Sequence, residues 1–290
     1  MKTAVYSAVL TPFKKDLSID SKLFISHCEF LINNKINLAP LGTTGEANSI
    51  SIAEKIELMK IIARSDLPRK DIIIGTGNCS FKDAALLTKT ALKYKINSVL
   101  LLPPFYYKNV TDDGVYNYYK NIIEEVKSNN LKIFLYNIPQ VSGVTISKEF
   151  IVKLKKKFSA IIHGIKDSSG DFENTKKYKE IKNFLVYPGS EKFLLEGLKI
   201  GCSGCISATT NVNVESEKLL KTYDTDEGLK INERIKSIRS VFEKYPTIAA
   251  LKAVKIKEND NWNYIRPPLV PLNINQRFNL LKDLNKFYLF

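Results

Sequence analysis

Histidine is nearly missing from this sequence: His27 and His163 are the only two in 290 residues, and they lie far apart along the chain. Metallohydrolase sites usually draw on several histidines, so that class is disfavoured at once. Cysteine is also scarce. Four of them (Cys28, Cys79, Cys202, Cys205) in a chain of this length make no disulfide framework, which points to a reducing cytoplasm. Cys202-x-x-Cys205 has no second CxxC to complete a metal site and reads as two small buried residues. No apolar run is long enough to span a membrane. Met1-Lys2 followed by Thr3 to Leu10 imitates a signal peptide, but the run is short and meets Thr11-Pro12 with no small-residue cleavage site, so it reads as a strand. Arginine is the last scarcity. Of 44 basic side chains against 30 acidic ones, only Arg64, Arg69, Arg234, Arg239, Arg266 and Arg277 are arginine. Nucleic-acid recognition favours the arginine fork and gathers charge on one face. Here the net +14 is carried by lysine spread along the whole chain, and the densest run, Lys155-Lys156-Lys157, reads as a solvated helix face. Neither a nucleic acid nor a membrane is an expected partner.

What is present is apolar and regular. Hydrophobic residues make up 44% of the chain and aromatics 10%, enough for a large core. Short β-branched or apolar runs recur at Ala4–Leu10, Asn37–Leu41, Ile72–Gly75, Ser98–Leu102, Lys132–Tyr136, Ile161–Ile165, Phe184–Tyr187 and Gly204–Ser207. Between them lie amphipathic helical patterns such as Ala53–Arg64, Phe81–Tyr94, Asp113–Ser128 and Lys148–Phe158. Eight strand–helix alternations, with strands apolar on both faces, predict an α/β fold of the (β/α)8 TIM-barrel type. The chain divides into a catalytic barrel over residues 1–220 and a helical extension over 221–290 packed on it, with breaks at Pro246 and Pro267-Pro268-Leu269-Val270-Pro271.

A barrel places its chemistry where the strands end. After strand 2 comes Gly42-Thr43-Thr44-Gly45-Glu46, whose glycines, hydroxyls and adjacent N–H groups suit a small anion cup or, equally, an ordinary tight turn. Strand 5 ends in Tyr136-Asn137-Ile138-Pro139, a phenol at the barrel mouth that serves packing or catalysis. Strand 6 runs into Lys166-Asp167. The amine either snorkels to the rim or is buried, where desolvation favours the neutral form that attacks a carbonyl to make a Schiff base.

In order and spacing, Gly42–Glu46, Tyr136–Pro139 followed by Gly143, and Gly164-Ile165-Lys166-Asp167 resemble the patterns of the dihydrodipicolinate synthase / N-acetylneuraminate lyase superfamily of class I aldolases. The resemblance runs over essentially the whole chain. It implies a TIM barrel assembled as a homotetramer, with no metal or organic cofactor and with a 2-keto acid, pyruvate, and an aldehyde as the small-molecule partners. Lys166 matches the imine-forming lysine, Tyr136 the proton-relaying phenol, and Thr44 the hydroxyl that links it to the relay. Thr43 and Thr44 match the cradle of the pyruvyl carboxylate. Tyr106, with Tyr107 as the other option, matches a tyrosine that in some members enters the neighbouring subunit's site. Ile206 matches a residue whose main chain lines the pyruvyl pocket, and Gly189 falls in the loop facing the variable part of the substrate. Ser168, just past the lysine, joins the expected substrate-binding set.

Two departures bear on the substrate. Synthases of the family place an arginine two residues after the proline of the Tyr-Asn-x-Pro motif, and here Val141 stands there, unable to bind a carboxylate by charge. The sialic acid lyase branch carries an Asp-Glu pair after strand 7; here Glu191 keeps an acid while Lys192 reverses the other charge. The Lys166–Asp171 loop resembles aldolases of 2-keto-3-deoxy sugar acids or hydroxy-keto acids. The leading expectation is therefore an aldolase that makes or cleaves such a compound. The alternatives are a dihydrodipicolinate synthase condensing pyruvate with aspartate semialdehyde and, from another class, a non-catalytic binding barrel, which the presence of both Lys166 and Tyr136 disfavours.

Overall fold

The computed structural model describes residues 3–287; Met1 and Lys2 of the signal-like start and residues 288–290 of the extension lie outside the described residues. Eight short strands run parallel: β1 (Ala4–Ser7), β2 (Asn37–Leu38), β3 (Ile73–Gly75), β4 (Ser98–Leu101), β5 (Lys132–Asn137), β6 (Ile162–Asp167), β7 (Leu185–Pro188) and β8 (Gly204–Ser207). They pair as β2-β1-β8 and β3-β4-β5-β6-β7. A parallel bridge from Leu38 to Ile72 joins one seam, and the Ser203 N–H donates to Val186 O at 2.9 Å across the other. The ring is thereby closed.

Helices follow the strands, and most of the longer ones are begun by a residue that satisfies the first free N–H groups. Ser51 caps Ile52–Arg64 in a reciprocal box with Glu54, and Ser80, Thr111, Ser147 and Asp171 cap Phe81–Lys93, Asp112–Val126, Lys148–Lys157 and Phe172–Lys179. The strands are apolar on both faces because both are covered. Val5, Ile74, Val99, Ile133, Leu135, Ile165 and Val186 pack outward beneath the helices, while Tyr6, Ile73, Leu100, Phe134, Tyr187 and Ile206 fill the barrel.

Several sequence expectations are corrected here. The first two runs end early, at Ser7 and Leu38, because the chain leaves the sheet towards the barrel mouth: the Val9 N–H donates to Ala39 O at 3.2 Å, and Leu41 takes a left-handed backbone with φ 58°. The sixth strand instead runs on through Lys166 and Asp167, which pair with Tyr187 and Pro188. Lys155 is not part of a solvated face; its amine donates to Ile162 O at 3.3 Å and lies over the Phe184 ring, whereas Lys156 and Lys157 are exposed.

Past β8 the chain forms helices Asp226–Phe242, Thr247–Lys255 and Ile274–Asn285, whose inner faces (Ile238, Phe242, Leu251, Val254, Leu280, Leu284) close a cluster with Trp262 around Leu10. Leu10 lies just beyond the end of β1, so the extension seals the same end of the barrel at which the strands deliver their side chains. Asn211 ties this region together. Its side chain donates to Ala8 O at 2.8 Å and accepts from the Leu10 N–H at 3.0 Å, and it meets His27 Nε2 at 2.9 Å. Among the described residues no helix is long and apolar enough to cross a membrane.

His27 is buried with its ring against Trp262, and burial, aided by the Lys255 charge, pushes its pKa down to about 3 against the opposing effect of its hydrogen bond to Asn211 Oδ1. The unfolded chain takes up a proton as pH drops through 6.5 and the folded chain does not, so this stability is present above 6.5 and lost progressively towards about 3. Thermal melts across that window are expected to show a falling midpoint that is flattened in His27→Gln; an unchanged slope in that variant would contradict it.

Candidate active site

The register of β5 against β6 builds the centre of the site. Tyr136 pairs with Lys166 and Asn137 with Asp167, so the phenol and the amine stand side by side on the inner face of the barrel. A bulge sets this alignment: Ile133 pairs with Ile162, but Phe134 pairs with Gly164, leaving His163 as an extra residue. Below it Ile162 faces the helices; above it Ile165 does so again, and Lys166 turns inward beside Tyr136. Re-aiming one side chain is what a bulge does to a strand.

Lys166 Nζ donates to Tyr136 Oη at 3.1 Å and lies 4.3 Å from the centre of the ring, and each residue is only 4% exposed. Burial raises the Tyr136 pKa, but the Lys166 charge and the Thr43, Lys166 and Ser168 side chains that face the phenol outweigh it, holding the pKa below the ordinary phenol value. Of the two threonines, Thr43 is the one that faces the phenol. Thr44, expected in that place, lines the cavity beside it, because the turn brings the first of the two threonines, not the second, to the phenol.

The loop carrying both threonines is bracketed by Leu41 (φ 58°) and Glu46 (φ 56°), two non-glycine residues in the left-handed region. Such backbones persist only where neighbours over-determine them. Gly75 supplies one constraint, since a Cβ there would fall 2.0 Å from Leu41 O. Others come from Thr11, whose hydroxyl donates to Gly45 O at 2.8 Å, and from Glu46, whose buried carboxylate pairs with Lys252 and accepts the Arg266 N–H at 3.0 Å.

Above Lys166 opens a cavity of about 700 Å³. Thr43, Thr44, Tyr136, Lys166, Ser168 and Gly189 line it. Gly189 has no room for a side chain, as a Cβ would stand 1.9 Å from Ser168 Oγ. Three expected residues are not among those that line it. Glu191 is buried behind the wall, accepting from the Ser207 hydroxyl and pairing with Arg239 at 3.5 Å. Ile206, expected to contribute its main chain, has its side chain buried within the barrel. Tyr106 is 74% exposed, edge-on to Tyr107 at 5.3 Å and away from the cavity.

Residues not expected from the sequence complete the wall. Gln140 donates to Ser168 O at 2.6 Å, and from the extension come Arg239, Glu243, Thr247 and the Pro268–Val270 segment. Glu243 binds Arg239 Nε at 3.2 Å and Lys192 at 2.9 Å. The only sequence signal for them was an Arg-to-Glu spacing of four on a helix, which any surface ion pair would share.

Fold and site together define a lyase of the class I aldolase type. The chain belongs to the Dihydrodipicolinate synthetase family, whose sequence profile matches residues 1–287. It is 30% identical over 284 residues to the 4-hydroxy-tetrahydrodipicolinate synthase of Bacillus velezensis, covering 95% of this chain and 96% of that protein. Among solved structures it resembles the dihydrodipicolinate synthase of Agrobacterium tumefaciens (TM-score 0.91, 28% identity, 99% of this chain and 100% of that one). It also resembles a variant of the 2-keto-3-deoxygluconate aldolase of Sulfolobus solfataricus (TM-score 0.89, 25% identity, 98% and 96%).

Removing the Lys166 charge leaves burial as the dominant influence on Tyr136, so Lys166→Met is expected to raise its pKa above 10. Ultraviolet difference titration of that variant against Lys166→Met/Tyr136→Phe isolates the one phenol; an unshifted transition would show that the amine does not act on it.

Proposed function

We propose that this protein makes or cleaves a pyruvate-derived aldol, a 2-keto-3-deoxy sugar acid or hydroxy-keto acid, through an imine on Lys166. The observation that carries the reading is the buried contact between the Lys166 amine and the Tyr136 hydroxyl at 3.1 Å, at the floor of a cavity with a polar far wall.

In the cleavage direction the neutral amine attacks the C2 carbonyl, and loss of water leaves an imine. The imine draws electrons from C3. As the C3–C4 bond breaks, the C4 hydroxyl proton passes to Tyr136, an aldehyde departs and an enamine remains. Tyr136 returns the proton to C3, water adds to the imine, and pyruvate and the free amine are regenerated. A phenol whose pKa lies below the ordinary value suits both transfers, with the Thr43 hydroxyl facing it as the partner in the relay. The hydroxyls and N–H groups of Thr43 and Thr44 would hold the pyruvyl carboxylate, and the main chain at Ile206 would flank it. Ser168 and Gly189 face the rest of the substrate.

A second reading, condensation of pyruvate with aspartate semialdehyde, has one observation in its favour. Val141 is absent from the cavity lining, yet a guanidinium does reach the cavity, that of Arg239 from the extension. Its neighbours Glu191 and Glu243 already engage it, which favours hydroxyl-bearing substrates over a second carboxylate. With the activity we infer a cytoplasmic homotetramer, a division into barrel and extension near residue 220, and a role for the exposed Tyr106-Tyr107 pair at a subunit contact.

Borohydride reduction with pyruvate is expected to leave a stable adduct on the Lys166 peptide, and an unmodified Lys166 in folded protein would sink the mechanism. Tyr136→Phe should retain the adduct yet lose about 10²–10⁴ in turnover. A panel of keto-deoxy sugar acids and hydroxy-keto acids, run beside pyruvate with aspartate semialdehyde, separates the readings: condensation without any cleavage would install the synthase reading.

A further inference from the structure

We propose that the ion pair between Lys252 and Glu46 is a positioning device for the reaction: it sets the Thr43 hydroxyl against Tyr136 and so makes the C-terminal extension part of the catalytic apparatus. The proposal rests on the Schiff-base reading above.

The pair joins two elements distant in sequence. Lys252 belongs to the helix Thr247–Lys255, and Glu46 ends the loop that carries both threonines. Their side chains are 1% and 0% exposed. One turn before Lys252, Thr247, Ile248 and Ala249 of the same helix face the cavity, so this helix touches the substrate space with its first turn and the loop with its second.

The linkage to Thr43 is short. Glu46 has a left-handed backbone, and its N–H donates to Thr43 O at 3.0 Å while the Ala47 N–H donates to Gly42 O at 3.2 Å. The turn that Glu46 closes is therefore the turn that aims Thr43. A non-glycine residue holds such a backbone only under constraint. Both carboxylate oxygens supply it, one to Lys252 and one to the Arg266 N–H.

The surroundings leave Lys252 no alternative partner for its charge except a carbonyl. Its amine donates to Tyr264 O at 3.0 Å and lies 4.4 Å from the centre of the Phe13 ring. Arg266 covers the same ring at 4.5 Å and is itself engaged by Glu54 at 2.9 Å and by the carbonyls of Leu17 and Ser49. Burying two charges contributes little net stability, and well-packed neutral replacements of both are often tolerated. What such a pair fixes is geometry. Burial also depresses the Lys252 pKa, to about 8 despite the opposing pull of Glu46, so the link is weakened as pH rises past that value.

The test uses the exchange of pyruvate methyl protons with heavy water, followed by NMR, because it needs only the Lys166 imine and a base. Lys252→Met/Glu46→Gln removes both charges at similar volume. With circular dichroism and melting near those of the unsubstituted protein, its maximal exchange rate is expected to fall about tenfold or more, while borohydride still traps pyruvate on Lys166. In a Thr43→Val background, where the positioned hydroxyl is gone, the same two substitutions are expected to change exchange by less than about twofold. Exchange unaltered in the double variant, or a loss undiminished in the Thr43→Val background, overturns the proposal. Should the double variant fail to fold, Glu46→Gln measured above pH 8, where Lys252 sheds its proton, gives the same readout, and undiminished exchange there overturns it. If neither variant folds, the pair is a structural clamp and the positioning role is lost. Absence of an adduct in the unsubstituted protein fails the Schiff-base reading, whereas an adduct with unaltered exchange in the variants fails only this proposal.

Discussion

The contact between an amine and a phenol inside a closed ring of strands is the constraint to which the rest of the molecule answers. Lysine resists burial because its ammonium loses water. Here it is accommodated at the one level of the barrel where apolar filling gives way to hydroxyls. Below it Phe134, Tyr187 and Ile206 fill the barrel; above it Thr43 and Ser168 face the phenol and the cavity opens. The same low dielectric that penalises the charge strengthens its action on Tyr136. A phenol readied for proton transfer and an amine placed for attack are two outcomes of one arrangement.

Charge is distributed by the same logic. Most of the lysines are surface groups, and pairs such as Lys60–Glu57, Lys153–Asp113 and Lys176–Glu173 are exposed and of small energetic value. The cations that shape the site are few and face aromatic rings or buried acids: Lys166 over Tyr136, Lys252 and Arg266 over Phe13, Arg239 between Glu191 and Glu243. Two of the six arginines, Arg239 and Arg266, are thus placed where a fixed planar fork is of use. Both come from the extension, which forms the cavity's outer wall as well as a cover for the barrel end.

The sequence made the barrel legible because strand and helix periods alternate cleanly, and it made Lys166 and Tyr136 legible because each stands at the end of such a run. It did not distinguish Thr43 from Thr44, since two adjacent hydroxyls differ only in the direction the turn gives them. Glu191 looked like a cavity acid from its place after β7, but Ser207 and Arg239 draw its carboxylate back into the protein. Arg239, Glu243 and Thr247 carried no readable signal, because their meaning depends on how the extension folds back over the barrel, and helical spacing says nothing of that. Lys252 and Glu46 are separated by 206 positions, and only the fold makes them neighbours.

The bulge at His163 gives β6 a property that no single side chain on it possesses. Along a strand, inside and outside alternate, so which side an amine occupies is a matter of parity, of whether the residues between it and the base of the strand number odd or even. Lys166, four residues on from the outward Ile162, has the inward parity because the bulge takes His163 out of the alternation. What β6 must conserve there is therefore the parity of the residues that alternate, not an identity. Substitutions at His163 leave the amine on its side of the wall, and removal of His163 itself would straighten β6 with Lys166 still inside, whereas the loss of one residue from the alternation between Gly164 and Lys166 would turn the amine out beneath the helices.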